Sequence, residues 1–211
     1  MDDAHEVEEY RAMDHQEVNE QFVNDLVAAG PVGPRVMDLG CGTAEIPVLL
    51  CQRLEDVEVV GVDASVAMLE AARIEIELGG MLGRVHLEHA DCKELTGFQS
   101  GMANTVVSNT VLHHLADPGE MLAQAIRMLE PGGRLFIRDL VRPADADAVE
   151  QLVSKHAGSA SEFAQQLLRQ SLHAALTINE TVEILTALGV ENASPTLTSD
   201  RHWTLDWVRP S

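Results

Sequence analysis

Apolar positions change their spacing along the chain in a regular alternation. Val18, Phe22, Val23, Leu26 and Val27 recur at helical spacing, so Gln16–Ala29 is predicted to be an amphipathic helix. Short apolar runs bounded by turn residues predict strands at Val36–Leu39, Val57–Val62, Val85–Ala90, Thr105–Ser108 and Arg134–Val141. Helical patterns lie between them at Ala44–Leu54, Ser65–Leu78 and Pro118–Leu129, with Ser65 placed as an N-cap. Strand alternating with helix predicts a parallel sheet covered by helices on both faces. Residues 144–156 and 160–175 read as two more helices joined through Ala157-Gly158-Ser159. Thr177–Leu188 follows as a helix, with Thr177 as N-cap, Glu180 completing a capping box and Gly189 ending it. Two last strands, Ser194–Thr198 and His202–Val208, are joined by a tight turn at Ser199-Asp200-Arg201.

The run Arg35–Leu50, RVMDLGCGTAEIPVLL, is the most telling segment. A strand enters a turn holding Gly40, Cys41 and Gly42 and then feeds a helix. Glycine lets the chain turn sharply and brings backbone close to a ligand with no side chain between. The next strand, VEVVGVD, ends in Asp63, and an acid there accepts hydrogen bonds from both hydroxyls of a ribose. The third strand runs RVHLEHADCK and ends at Asp91-Cys92, and the fourth lies in ANTVVSNTVLHHL. A helix and the turn LEPGG then lead into RLFIRDLV.

The motifs DLGCGT, VGVDAS, HADC, SNTVLHHL and LEPGG, in this order and at this spacing, resemble those of the class I, Rossmann-like S-adenosylmethionine-dependent methyltransferases. Within that group the chain is similar to the small-molecule branch of the ubiquinone/menaquinone-type enzymes. The likeness is strong over residues 16–141 and weak beyond. It implies a doubly wound, mostly parallel α/β sheet of seven strands in the order 3-2-1-4-5-7-6, the last strand antiparallel. It also implies a helical insertion at 144–175 after the fifth strand, capping the substrate pocket of one domain over residues 16–211.

The resemblance assigns S-adenosyl-L-methionine as cofactor. Gly40 and Gly42 would take its amino-acid part with Cys41 between them, and Asp38 would orient that turn or reach the ammonium through water. A third glycine is common in the family where this chain has Ala44, and we expect a slight change in helix approach. Asp63 would hold the ribose, Ala64 and Met68 would pack near the adenine, Asp91 would accept from the adenine amino group and Cys92 would supply a backbone N–H. Asn109 would contact the methionine part and face the substrate. The last strand would bring Arg201, His202 and Trp203 beside the active site.

Catalytic candidates follow from chemistry. A nucleophile that loses a proton needs a base, and His114 or His202 could serve, with Asp139 as orienter or alternative base. His113 and His114 are adjacent, so helix geometry points them about 100° apart and makes a shared metal ion improbable. No metal is expected. Alternation puts Arg138 and Leu140 on one face of their strand and Asp139 on the other. Arg138, Arg142, Arg201 and the histidines would line a basic pocket for a small anionic substrate. The alternative for the charges is ion pairing, Arg138 with Asp200 or Asp139 with Arg201.

Composition narrows the reading further. The chain has 211 residues and a net charge of −20, so it repels phosphate backbones and anionic membranes. A small-molecule partner is expected, with no nucleic acid and no membrane; oligomeric state is left open. Three isolated cysteines, Cys41, Cys51 and Cys92, fit a reducing cytoplasm and give no thiolate triad for arsenite. Aromatic residues make up only 3%, so a large flat substrate would stack on few partners among Tyr10, Phe22, Phe136, Phe163 and Trp203. The opening MDDAHEVEEY is acidic and polar, so residues 1–15 are expected to be a tail or lid rather than a leader. Two alternatives stay open: a nicotinamide-dependent dehydrogenase, and a protein that binds S-adenosylmethionine or S-adenosylhomocysteine without catalysis.

Overall fold

A computed structural model describes residues 16–211. The acidic opening expected to act as a tail or lid, with Tyr10 in it, lies outside the described residues. The helices are α1 (Gln16–Ala29), α2 (Glu45–Arg53), α3 (Val66–Leu78), α4 (Pro118–Met128), α5 (Ala146–Ala157), α6 (Glu162–Ala174) and α7 (Ile178–Ala187). The strands are β1 (Arg35–Leu39), β2 (Glu58–Asp63), β3 (Val85–His89), β4 (Ala103–Asn109), β5 (Leu129–Leu140), β6 (Thr196–Leu197) and β7 (His202–Val208). They form one sheet in the order β3-β2-β1-β4-β5-β7-β6. The first five strands pair in parallel, and β7 runs antiparallel to both β5 and β6.

Each face of the sheet buries its own core. Met37, Leu39, Val106, Leu135, Ile137, Trp203 and Leu205 pack on Met121, Leu122 and Ala125 of α4 and Leu185 of α7. The opposite residues of the same strands, Val36, Val59, Val107 and Phe136, pack on α1, α2 and α3. This is the two-residue period of a strand read across a doubly wound sheet. In α1 the buried stripe is Asn19, Phe22, Val23 and Leu26; Val27, expected to face inward, is exposed. Phe22 meets Phe136 edge to face, with ring centroids 5.3 Å apart.

Two elements differ from their predicted bounds. β5 begins at Leu129, not Arg134, because the LEPGG turn itself joins the ladder, and a register shift between Ala103 and Thr105 on β4 absorbs the irregularity. β6 shrinks to two exposed residues at the sheet edge, where a short strand offers little unpaired backbone to other chains. Helices α5 and α6 pack over Leu140, at the carboxyl end of β5, through Val149, Val153 and Leu172. No helix among the described residues is long and apolar enough to cross a membrane.

Candidate active site

The strand order reverses at β1, which pairs with β2 on one side and β4 on the other. Ligands of open α/β sheets bind outside the carboxyl ends of strands at such a point. Three turns meet there: Gly40–Thr43 after β1, Asp63–Ser65 at the end of β2, and Asn109–Leu112 after β4.

The glycine turn is fastened to β2. The N–H groups of Gly40 and Cys41 donate to Val62 O at 2.8 and 3.0 Å, and Gly42 N–H donates to Asp63 Oδ2 at 2.9 Å. Asp63 Oδ1 accepts from Ser65 N–H at 2.8 Å, so this carboxylate ties the turn to the start of α3. At Gly40, with φ of 78°, a Cβ would lie 2.4 Å from Val111 Cγ2; at Gly42, with φ of 52°, it would meet nothing within 4 Å. The outer side of Gly42 is therefore open. Ala44, expected to alter only the helix approach, instead carries backbone strain, with φ of 63°. Thr110, after β4, has φ of 57°, so left-handed non-glycine residues flank the switch point from both strands.

Asp38 is buried on the α1 face of β1, and no hydrogen bond to its carboxyl occurs among the described residues. Burial, with Asp63 nearby, pushes it up to about 8. The folded chain thus keeps a proton that the unfolded chain loses near 3.8. Asp38 contributes stability that is full below about pH 4 and lost as pH rises through about 8. We expect Asp38→Asn to remove this slope. Urea midpoints taken at about pH 5 and about pH 8 should fall less in the variant than in the wild type, and equal falls would refute the assignment.

The remaining cofactor-side residues have these surroundings. Asp91 is exposed and held by Lys93, whose N–H and Nζ lie 2.9 and 2.6 Å from its oxygens; this keeps it below the usual carboxylate range. Met68 is buried with Ala71, and Ala64 is exposed with its carbonyl 2.9 Å from His89 Nε2. Burial pushes the Cys92 thiol up to about 12 and the Cys41 thiol well above its usual value, so neither is a nucleophile. Asn109 Oδ1 is buried and has no hydrogen-bond partner among the described residues.

The catalytic candidates separate onto the two faces of the sheet. Arg138 faces α1, as alternation predicts. Its Nη2 lies 2.5 Å from Asp25, its Nε donates to Thr204 Oγ1 at 2.9 Å, and its guanidinium sits over the Phe22 ring. It is a clamp on α1, and the cavity it borders is not basic, because Asp25 and Asp206 line it too. Arg142 is likewise spent, on Ala175 O and Glu180. The anticipated pairs Arg138–Asp200 and Asp139–Arg201 do not form. Asp200 takes Lys155 and His156 instead. Asp25 lies 113 residues from Arg138, so nothing local in the sequence marks it.

Asp139 faces the other core. One oxygen accepts from Leu112 N–H, the other from His113 Nδ1 and Leu140 N–H, all at 2.7 Å. Its carboxylate is saturated, which corrects its candidacy as a base. Leu112–His114 forms a single 3-10 turn, and the two histidine rings touch, with centroids 4.1 Å apart. They do not diverge as a regular helix would direct them, because Asp139 draws the His113 ring inward and the His114 ring lies against it. His114 is exposed; desolvation by the surrounding protein and the neighbouring His113 push it down to about 4. His202 is buried, with Nδ1 2.9 Å from Ser199 Oγ; burial, then Arg201 and Arg138, push it down to about 4. Trp203, expected beside the site, is fully buried in the α4/α7 core. Phe22 and Phe136 are core residues too, and Phe163 is exposed on α6.

A family described as "Methyltransferase domain" matches residues 32–192. The chain is 36% identical over 146 residues to a trans-aconitate 2-methyltransferase of Deinococcus radiodurans, an overlap of 68% of this chain and 51% of that protein. It is 30% identical over 124 residues to a ubiquinone/menaquinone biosynthesis C-methyltransferase of Vibrio campbellii, covering 58% of this chain and 47% of the other. The chain thus spans about half the length of the curated relatives it matches. A SAM-dependent methyltransferase from Aquifex aeolicus shares the fold, with a TM-score of 0.71 at 13% identity, over 98% of both chains. Family match and fold agree with the motifs at the switch point: this chain belongs to the methyltransferase-domain family, in its class I, S-adenosylmethionine-dependent group.

Proposed function

We propose that this chain transfers a methyl group from S-adenosylmethionine to a small-molecule acceptor. The observation that carries this reading is the switch-point arrangement. Asp63 stands beside the open side of Gly42, and among the described residues Asp38 is buried without a hydrogen bond and Asn109 Oδ1 lacks a partner. An open glycine, a carboxylate with spare lone pairs and an unmatched buried acceptor suit a ligand with a ribose and an ammonium group. Asp38, Gly40, Cys41, Gly42 and Asn109 would hold its amino-acid part, Asp63 its ribose, and Ala64, Met68, Asp91 and Cys92 its adenine. When bound, it supplies an electrophilic methyl carbon.

The chain's own task is to align the acceptor and shed water. For an acceptor that loses a proton, we assign the base to His113. Its Nδ1–H is committed to Asp139, so Nε2 holds the lone pair, and Asp139 is the positioning residue. His114 and His202, pushed down to about 4, are weaker bases at neutral pH. The charge of −20 and the named substrates of the relatives favour a small acceptor over nucleic acid. Free, buried cysteines favour a cytoplasmic setting.

The test is calorimetry with S-adenosylmethionine, S-adenosylhomocysteine and NADH. Micromolar binding of the first two and none of the third supports the assignment and justifies a screen of acceptors with methyl-labelled cofactor. Binding of NADH instead, or of nothing, overturns it.

A further inference from the structure

We propose that the acceptor site takes a small ligand carrying an oxyanion, carboxylate or phosphate, and that Arg201 is the residue that pairs with it; this rests on the methyl-transfer reading above. Among the described lysine and arginine side chains, only Arg73 and Arg201 make neither a hydrogen bond nor an ion pair. Arg73 is exposed on α3, where water satisfies it. Arg201 is half-buried. A half-buried guanidinium with no acceptor among the described residues is available to pair with an anion from outside the chain.

The obvious partner is already taken. Asp200 is the next residue in the chain, yet Lys155 Nζ lies 2.6 Å and His156 Nε2 3.0 Å from its Oδ2, with Oδ1 also 3.1 Å from His156. Asp139, the other acid near the end of β5, is saturated by three N–H donors. Burial lowers the Arg201 pKa, with Asp200 pushing back.

Position supports a ligand role. Val141 N–H donates to Arg201 O at 2.9 Å, and Arg201 N–H donates to Ser199 Oγ at 3.2 Å, so the backbone is fixed at the start of β7, just beyond the end of β5. A cavity of about 410 Å³ lies under α5, bordered by Val141, Leu152, Lys155 and Asp200 and not by Arg201 itself. That is the size of a small-metabolite site. Both the cross-strand partner of Arg201 and its chain neighbour line this cavity. A planar guanidinium suits carboxylate or phosphate in a two-pronged contact.

The experiment first titrates the protein with S-adenosylhomocysteine, then titrates the complex and the free protein separately with citrate, inorganic phosphate and glycerol. Tryptophan fluorescence and binding heat are both read. Wild type should bind citrate or phosphate with Kd of about 1 mM and ignore glycerol. Arg201→Gln should weaken this at least about tenfold, Arg201→Lys should keep part of it, and Arg73→Gln should leave it unchanged. Citrate alone marks a carboxylate ligand, and phosphate alone a phosphate ligand. Binding of neither, equal binding in Arg201→Gln, or an equal loss in Arg73→Gln overturns the proposal. Thermal melts and the lysine variant separate a folding defect from a lost contact. Failure of S-adenosylhomocysteine to bind would sink the methyl-transfer reading, while the oxyanion result in the free protein would still stand by itself.

Discussion

Asp63→Ala should weaken S-adenosylhomocysteine binding by about 100-fold or more, the sum of one to two hydrogen bonds to a charged group. The side chain has two duties. It is the acceptor proposed for the ribose, and it holds Gly42 N–H and Ser65 N–H at 2.9 and 2.8 Å. Alanine would remove the acceptor and free the glycine turn from the start of α3. Asp63→Asn separates the two. An amide keeps one acceptor oxygen, so one of the backbone N–H groups stays bonded while the other faces an NH₂ group. The asparagine variant should therefore lose affinity as well, with less effect on the melting temperature than alanine. Calorimetry on both variants checks this, and wild-type affinity in Asp63→Ala would remove the ribose assignment.

The largest stability effect is expected at Asp139. Asp139→Ala should cost about 3–5 kcal/mol, because it strips the acceptor from three buried N–H donors at once. Leu112 N–H and His113 Nδ1 belong to the turn after β4, and Leu140 N–H to the end of β5. The carboxylate thus holds the turn that follows the strained Thr110 against the neighbouring strand. Urea titration should show the midpoint falling with little change in slope. Asp139→Asn should recover part of the loss through its remaining oxygen. A change under about 1 kcal/mol for alanine would mean that solvent satisfies these donors and that the site is looser than described.

The neighbouring charges show how far local sequence reaches. Alternation along RLFIRDLV put Arg138 and Asp139 on opposite faces, and they are. What each of them meets there was not legible. Asp25 lies farther along the chain from Arg138 than Asp200 does, and nothing in the local sequence ranks His113 above Arg201 as the partner of Asp139. Burial chose between them. Arg138 closes on Phe22 and Asp25 because α1 crosses that face of the sheet, and Asp139 closes on His113 because the turn after β4 passes over the other. The histidine pair was misread for the same reason: a helix angle was assumed where the chain makes one 3-10 turn anchored from another strand.

By itself, the sequence determined the alternation of strands and helices, the two-sided sheet, the glycine turn and the acid after the second strand. These rest on short-range physics: side-chain periodicity, capping and the backbone freedom of glycine act within a few residues. Only the tertiary structure decided which charges are spent and which remain. It pushed the buried Asp38 carboxyl up, saturated Asp139, clamped Arg138 onto α1 and left Arg201 half-buried with no acceptor among the described residues. Those outcomes depend on desolvation and on partners brought from distant segments, and neither is set until the sheet closes and its helices pack.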